Sequence, residues 1–295
     1  MVPFLHRILR FASRVAVGVQ QFGLGGACRV FFLSRWQRED VVTSVPLRAL
    51  GRSFFYRSVS DRNIFCMFYN EGYRIIDCYG MRAGVIVDAG ANIGDSTLRF
   101  RRFHPAARIL AIEADPDNYQ VLERNCTGDP LTTPLQRALW SEEGSLNVYK
   151  TWANVASRVT SAPHGQATAV PACTVPGLMA EFDLEWIDIL KLDIEGAESV
   201  VFQTADTAWL HRVRCILFEC CDADDAGTTQ RIFAVLQGAG IQFNCHIAGE
   251  NLVLIRSDTP WHVGSDLWLD EKATVPPHIA EAMASRGLLR LDEAR

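Results

Sequence analysis

The sequence predicts an α/β fold in which a mostly parallel sheet is covered by helices. From about residue 85 to residue 260, short β-rich apolar runs alternate with longer segments of helical spacing, which is the rhythm of successive βα units. Several of these runs end in an acidic residue, as is typical of strands whose carboxyl ends form a ligand-binding edge. The chain has 295 residues, of which 48% are hydrophobic, so it is long enough to bury one full core.

The first half of this region predicts three strands separated by two helices. A glycine-rich turn follows the first strand, and Pro116 stands at a favoured early position of the second helix. In chain order the elements are strand 85–88 (VIVD), helix 95–103, strand 109–114 (ILAIEA), helix 117–126 and a third strand that ends at 137–139.

The second half predicts two further strands, each followed by a helix, and then a hairpin. The elements are strand 186–193 (WIDILKLD), a helix after Gly196, strand 214–220 (RCILFEC), helix 226–238 and two strands within 240–258 that turn at 248–251. Such a hairpin adds an antiparallel edge to a parallel sheet. The segment 141–180, rich in Ser, Thr, Ala and Pro, is compatible with a strand plus a long loop or an insertion near the site.

The first 50 residues form a basic, apolar segment, and three units follow from this composition: 1–50, 51–260 and a tail, 261–295. Apolar residues between Leu5 and Phe11 have helical spacing. One interpretation is an interfacial helix on anionic lipid; the other, which we favour, is a helix docked on the main domain. The tail carries one short helical pattern, 277–289. No apolar run reaches the roughly 18 residues of a membrane span, and no secretory signal is evident.

Composition excludes several classes of function. The net charge is −5 with mixed signs, so no basic face indicates a nucleic-acid partner. Nine cysteines without a CxxC pair argue against a zinc site and for reduced, mostly buried thiols. We therefore expect a cytoplasmic protein, with contact of the N-terminal segment with the inner face of a membrane left open.

The glycine-rich turn VIVDAGANIGDS (85–96) is the strongest local signal. Gly90 and Gly94 stand where a strand turns abruptly into a helix and lets a ligand approach the backbone. Asn92 replaces the middle glycine of a GxGxxG loop, which disfavours a pyrophosphate ligand. Asp88 at the strand end would also repel a diphosphate, but it suits a cationic or hydroxyl-bearing ligand.

Acidic residues also end the later strands. Glu113 closes the second strand, where a carboxylate in a nucleotide-binding βαβ unit accepts hydrogen bonds from ribose hydroxyls; the alternative is a solvated strand end. Asp193 and Glu195 follow the fourth strand and are the candidates for chemistry, with helix capping and solvation as their alternatives. Carboxylates gathered at one sheet edge are costly to bury without a function.

Three runs of the sequence resemble the FkbM family of class I methyltransferases. These are DAGANIGDST, IEADPDNY and, most specifically, KLDIEGAE, and the likeness extends over residues 57–258. The resemblance implies a Rossmann-like class I methyltransferase fold, with a mostly parallel seven-stranded sheet, helices on both faces and a C-terminal antiparallel hairpin. It also implies S-adenosyl-L-methionine as the cofactor and O-methylation of a hydroxyl on a sugar, glycolipid or polyketide.

The resemblance also assigns roles to particular residues. It places the cofactor loop at Asp88, Gly90, Asn92 and Gly94. It makes Glu113 the ribose-binding acid and places Ala138 and Leu139 beside the adenine. Asp193 and Glu195 become the acidic pair that faces the methyl group and the substrate. The first 50 residues, the tail after 260 and much of the segment 141–180 match nothing in the family, and we expect acceptor selection in 141–180.

Methyl transfer to an alcohol needs alignment of the acceptor oxygen and a base for its proton. Asp193 is the first candidate base and Glu195 the second. Alternatively, a divalent metal held by Asp193, Glu195 or Glu219, with His246 as a further ligand, would lower the pKa of the hydroxyl, although no ligand spacing requires a metal. Two other functions remain open: an NAD(P)-dependent oxidoreductase and a catalytically silent binding module.

Overall fold

We analysed a computed structural model, which describes residues 2–31, 36, 38–61, 76, 82–150, 157–160, 167–219, 226–248 and 251–259. The helices in these ranges are α1 (Val2–Phe31), α2 (Asp95–Phe103), α3 (Pro116–Cys126), α4 (Val175–Glu181), α5 (Glu198–Val201) and α6 (Thr228–Gly238). The strands are β1 (Val42–Leu47), β2 (Arg52–Arg57), β3 (Val85–Ala89), β4 (Arg108–Glu113), β5 (Thr132–Gln136), β6 (Ala138–Leu139), β7 (Gly144–Lys150), β8 (Ser157–Thr160), β9 (Ala167–Cys173), β10 (Ile187–Leu192), β11 (Val213–Glu219), β12 (Phe243–Ala248) and β13 (Asn251–Arg256). Short 3-10 turns cover Arg48–Leu50 and Ala208–Arg212. The predicted tail helix, 277–289, lies outside the described residues.

The predicted fold class is confirmed by a seven-stranded sheet in the order β12-β13-β11-β10-β3-β4-β5. The five strands from β11 to β5 are parallel, and β13 pairs antiparallel with both β11 and β12. The C-terminal hairpin is therefore present as predicted. Chain connections leave β3 in one direction and β10 in the other, so the boundary between these two strands is the topological switch point, where such sheets bind ligands.

Apolar residues cover both faces of this sheet. Successive side chains of each strand point to opposite faces, so a strand buried on both sides contributes to two cores. One core joins alternate strand residues to α4, α5 and α6. The other joins the intervening residues to Phe100 of α2, and Ala111 of β4 packs against Leu122 of α3. Helices thus lie on both faces, as the sequence predicted.

The segment 141–180 forms a second, smaller sheet rather than a strand with a long loop. Its strands have the order β6-β9-β7-β8, with β7 antiparallel to its two neighbours. The predicted third strand is in fact divided. Thr132–Gln136 extends the large sheet, whereas Ala138–Leu139 pairs with β9. Arg137 between them is where the chain passes from one sheet to the other.

The second half of α1 docks on the domain, whereas the side chains of residues 5–11, which carry the predicted choice between lipid and domain, lie outside the described residues, so that this interpretation stays a prediction. Phe22 and Val30 are buried with Ile93, Leu98 and Val121 in one cluster. Gly23 breaks the helix, since its φ of 73° and ψ of 170° are not helical. Within the described part of the chain, no helix is long and apolar enough to cross a bilayer.

A β-hairpin formed by β1 and β2 connects α1 to the domain. The buried Asn125 of α3 fixes it: the amide nitrogen donates to Phe55 O at 2.8 Å and to Ile93 O at 2.7 Å, and Oδ1 accepts from Phe55 N at 2.7 Å. Because Ile93 belongs to the glycine-rich turn, this one side chain ties the hairpin to the candidate cofactor loop.

Candidate cofactor and active site

The glycine-rich turn after β3 packs directly against the end of β10. Gly90 has a φ of +73°, and a Cβ atom built on it would lie 1.7 Å from the backbone oxygen of Asp193. The amides of Gly90 and Ala91 both donate to Ile112 O at 2.9 Å. Only glycine fits this position. Because it has no side chain, the turn after β3 can pack directly against the end of β10.

A buried lysine holds this junction from within. Lys191 is 1% exposed, and its ammonium donates to Gly90 O at 2.7 Å and Ala89 O at 3.3 Å. The same nitrogen lies 3.1 Å from Asp88 Oδ1 and 3.6 Å from Asp193 Oδ2. One cation therefore links the glycine turn to the carboxylates at the ends of both central strands.

Asp88 is completely buried and is engaged within the protein. Its Oδ2 accepts hydrogen bonds from the hydroxyls of Ser96 at 2.7 Å and Thr97 at 2.6 Å, while Oδ1 faces Lys191. The cationic and hydroxyl partners expected for this carboxylate are thus supplied by the chain itself. Asp88 holds the first turn of α2 against the strand end, and a direct contact with a ligand stays a prediction.

Asp95 begins α2, directly after Gly94. The residue is 2% exposed, and its Oδ2 atom is buried without a hydrogen-bond partner. Burial raises the pKa of this carboxyl from 3.8 to about 7; the charge of Lys191 acts in the opposite direction, and the charges of Asp88 and Asp193 add to the rise. Asp95 therefore holds a proton more firmly than an ordinary aspartate.

Glu113 ends β4 and is 7% exposed. Its Oε2 accepts from Asn92 N at 2.8 Å, and Oε1 accepts from Asp115 N at 2.8 Å and Asn118 Nδ2 at 3.5 Å. Burial raises the pKa of Glu113 from 4.5 to about 7 despite these bonds. The carboxyl is therefore not a solvated strand end, and it is oriented by the same glycine-rich turn that it would serve.

The two candidate catalytic acids differ in their surroundings. The side chain of Asp193 is 24% exposed and lies beside Lys191, whereas Glu195 is exposed and has a φ of 58°. Neither caps a helix, since α5 begins only at Glu198. The buried Glu198 instead shapes their loop: its Oε1 accepts from Ile194 N at 2.9 Å.

The other predicted site residues lie on other strands, and Glu219 follows the Leu192–Phe218 pair at the strand end next to Asp193. Ala138 and Leu139 are buried in β6, with Ala138 in the core of the small sheet, so their place beside an adenine stays a prediction. Glu219 ends β11, and His246 lies on the edge strand β12. In the part of the chain that the structure describes, no group of three or more His, Cys, Asp or Glu residues has the geometry to hold a metal ion.

Sequence reasoning missed Lys191, Asp95, Asn125 and Glu198. A signal existed for Lys191, because a lysine within the apolar run IDILKL must either reach the surface or find buried partners. Glu198 closes the KLDIEGAE run itself. Asp95 and Asn125 carried no such signal, since their neighbours come from distant parts of the chain.

A surface cavity of ≈ 240 Å³ lies near this edge, between the β-hairpin and the start of α3. Its walls are polar and of mixed charge, with Arg57, Asp115, Asp117 and Arg124 among them. None of its lining residues belongs to the Lys191 junction. The cavity therefore adjoins the Glu113 side of the edge but is separate from the buried charges.

A doubly wound sheet with a glycine turn and buried acids at its switch point defines a Rossmann-like α/β domain. The sequence model of the methyltransferase FkbM domain matches residues 88–243, more than half of the chain. Methyltransferase sdnD of Sordaria araneosa is 32% identical over 190 residues, which cover 52% of this chain and 72% of that protein. The chain therefore belongs to the FkbM methyltransferase family.

Solved structures show more distant likeness. Methyltransferase FkbM from Methylobacillus flagellatus is 15% identical with a TM-score of 0.42, and the match covers 59% of this chain but only 44% of that one. A SAM-dependent methyltransferase from Aquifex aeolicus is 9% identical with a TM-score of 0.36, covering 65% of this chain and 91% of the other. At these values neither likeness adds to what the strand order and the family establish.

Proposed function

We propose that this protein is an S-adenosylmethionine-dependent O-methyltransferase whose acceptor is a hydroxyl group of a sugar, glycolipid or related natural product. The observation that carries the proposal is the packing of Gly90 against Asp193, where a Cβ would lie 1.7 Å from the backbone oxygen. This contact makes the cofactor turn and the candidate base neighbours, which a transfer reaction between two bound molecules requires.

The buried charges fit this cofactor better than a dinucleotide. Asp88 and Asp95 beside the glycine-rich turn would repel a diphosphate, and Asn92 stands where the loop of a dinucleotide site has its middle glycine. S-adenosylmethionine has ribose hydroxyls that can donate to Glu113, and it supplies a methyl group bound to a positively charged sulfur. This distinction supports the methyltransferase over the NAD(P)-dependent oxidoreductase.

Asp193 is the residue we assign as the base. Its partly exposed carboxylate can accept the proton of an alcohol held at the edge, and it lies 3.6 Å from the ammonium of Lys191. Glu195, exposed on the same loop, is the second candidate. Alignment of the acceptor oxygen, rather than covalent chemistry by the protein, provides most of the rate.

Calorimetric titration with S-adenosylhomocysteine tests the cofactor site. We expect micromolar binding to the intact protein and at least about a tenfold loss in Glu113→Gln, because a ribose hydroxyl loses a charged acceptor. The matched control is Glu123→Gln on the exposed side of α3, which should bind normally. Absence of binding to the intact, folded protein would contradict the proposal.

Methyl transfer to a panel of sugars, glycolipids and polyketides, followed by mass spectrometry, tests the acceptor class. We expect Asp193→Asn to lower kcat by about 100-fold or more while S-adenosylhomocysteine affinity changes little. Asp183→Asn, a change of the same type away from the site, is the control. A protein that binds the cofactor product but methylates no hydroxyl would instead favour the binding-module function.

A further inference from the structure

The junction at the switch point carries more negative than positive charge. Lys191 lies within 3.6 Å of the carboxylates of Asp88 and Asp193. Asp95 is the third acid, and its charge is coupled to Lys191 and to both of these carboxylates. If all four groups were ionised, one ammonium would face three carboxylates, which a buried site does not tolerate without a further cation or a proton.

Of these three acids, Asp95 is the one with a buried oxygen that has no partner: Asp88 Oδ1 also accepts no hydrogen bond, but it has the Lys191 ammonium at 3.1 Å. Hydroxyl groups and Lys191 surround Asp88, and Asp193 is partly exposed to water. In contrast, Oδ2 of Asp95 is buried and accepts no hydrogen bond. Buried polar atoms are nearly always paired, so an acceptor without a donor at the end of a ligand-binding glycine turn indicates that the donor comes from the ligand.

We propose that Asp95 binds the ammonium group of the cofactor and releases its own proton to solvent when it does so. The inference rests on the proposed function and assigns one contact within it. The ammonium group meets the requirement, because Oδ2 needs an N–H or O–H donor: a sulfonium has none, and the ribose hydroxyls are the groups assigned to Glu113. The first turn of α2 adds the positive end of a helix dipole, which favours the ionised carboxylate once a cation is present.

The proton balance follows from the groups that face Asp95. These are Asp88 on β3, Lys191 on β10 and Asp193 beyond it. Without ligand, burial and the two like charges outweigh the charge of Lys191 and raise the pKa of Asp95 to about 7, so that about half of the molecules carry this proton at pH 7. An incoming ammonium favours the ionised form, so the O–H bond of the carboxyl breaks, the proton passes to the buffer and the ligand keeps its own charge.

Two ligands separate this contact from the rest of the cofactor. S-adenosylhomocysteine carries the aminobutyrate chain with its ammonium, whereas 5′-methylthioadenosine has the same adenosine and sulfur without that chain. We would titrate both by calorimetry at about pH 7 in phosphate and in Tris, whose ionisation enthalpies differ, to count protons. We expect S-adenosylhomocysteine to release about half a proton more than methylthioadenosine, and any contribution of Glu113 cancels in this difference.

The variant Asp95→Asn keeps the shape of the side chain but cannot ionise. We expect the difference in proton release to vanish and the affinity for S-adenosylhomocysteine to fall about tenfold, with methylthioadenosine binding almost unchanged. The matched control is Asp117→Asn, an exposed acid in the first turn of α3, which should retain both values.

Each contrary result has a distinct meaning. If Asp95→Asn keeps the proton difference, or weakens both ligands equally, Asp95 does not bind the ammonium group and the inference is wrong, while the proposed function stands. If neither ligand binds the intact protein, the proposed function fails and this inference fails with it. Thermal melting of each variant identifies a loss of affinity that comes from unfolding alone.

Discussion

Acidic residues are buried at both ends of the strands of the large sheet: at the amino-terminal ends (the amino edge) and at the carboxyl-terminal ends (the carboxyl edge). The surroundings of these acids differ between the two ends. At the amino edge, Asp188 is saturated: Oδ2 accepts from Gly84 N at 2.6 Å and Val85 N at 2.9 Å, and Oδ1 accepts from Arg214 at 2.6 Å. Arg214 in turn lies over the ring of Trp186. This edge has the pairing expected of a structural element.

At the carboxyl edge, Asp88 and Glu113 are hydrogen-bonded, but Asp95 is not fully paired. Asp95 keeps a buried Oδ2 without a hydrogen bond, and the pKa values of Asp95 and Glu113 are both raised to about 7 by burial. Unpaired polar atoms and shifted pKa values of this kind concentrate at functional sites. The contrast shows that an acidic residue at a strand end does not by itself indicate a functional site. What indicates one is whether the protein leaves that acid without hydrogen-bond partners.

Removal of the Lys191 ammonium should have the largest effect on stability and binding at the carboxyl edge. Lys191→Met leaves Asp88 buried without its cation, and we expect a loss of about 3–5 kcal/mol in the free energy of unfolding, measured by urea denaturation, together with loss of S-adenosylhomocysteine binding. The amino-edge counterpart is Arg214→Met. Because its side chain is 36% exposed, it should cost about 1 kcal/mol or less, and equal costs would contradict the difference between the edges.

The glycine turn is the next test. Gly90→Ala forces a Cβ into the backbone of Asp193 at a φ of +73°, and we expect a loss of about 3 kcal/mol in stability and no measurable cofactor binding. Gly128 at the end of α3 has a φ of +82° and no atom within 4 Å of a built Cβ. Gly128→Ala should therefore cost only about 1 kcal/mol and leave binding intact, unless backbone conformation rather than contact is what matters.

Loss of an acid whose oxygens are all hydrogen-bonded within the protein should lower stability without changing cofactor affinity. Asp188→Ala removes the acceptor of two backbone amides and the partner of Arg214, and we expect about 2 kcal/mol of destabilisation. The affinity for S-adenosylhomocysteine should remain within about twofold, since this residue lies at the opposite edge. A large change in affinity would show that the two edges are coupled.

The pH dependence of the free energy of unfolding distinguishes a buried acid at the carboxyl edge from a well-paired acid elsewhere, and this is the smallest of the expected effects. Because burial raises the pKa of Glu113 from 4.5 to about 7, the folded protein binds this proton more tightly than the unfolded chain, and stability falls as the pH rises between these values. Glu113→Gln removes that slope. We expect the variant to gain about 2 kcal/mol relative to the unmodified protein between pH 5 and pH 7.5, measured by urea denaturation at both pH values.

Asp129 provides the opposite case for the same experiment. Burial acts to raise its pKa, but hydrogen bonds from Thr132 and Arg101 outweigh this and lower it below 3.8. Its contribution to stability is therefore lost only as the pH falls below that value, and it is complete at pH 5. Asp129→Asn should be destabilised by the same amount at pH 5 and pH 7.5, and a slope there would mean that other groups dominate the titration.

The sequence by itself determined which strands and helices of the large α/β unit follow one another along the chain and the residues that end most of them. Alternation of apolar runs with helical patterns is a local property, so β3, β4, β10 and β11 were predictable, as was the start of α3 at Asp115, whose side chain accepts from Asp117 N and Asn118 N. Where the local pattern was weak, the sequence did not predict the secondary structure. The small sheet of residues 138–173 depends on pairing between distant strands, which no short window of sequence encodes.

Only the tertiary structure decided how the acids are used. Strand alternation predicts the face on which Asp88 and Lys191 each lie, but their contact depends on the parallel register that pairs these two positions. The same packing surrounds Asp95 with charges from β3 and β10. A sequence specifies which groups can ionise, whereas their pKa values and partners follow from the distances and burial that arise once separate elements are packed together.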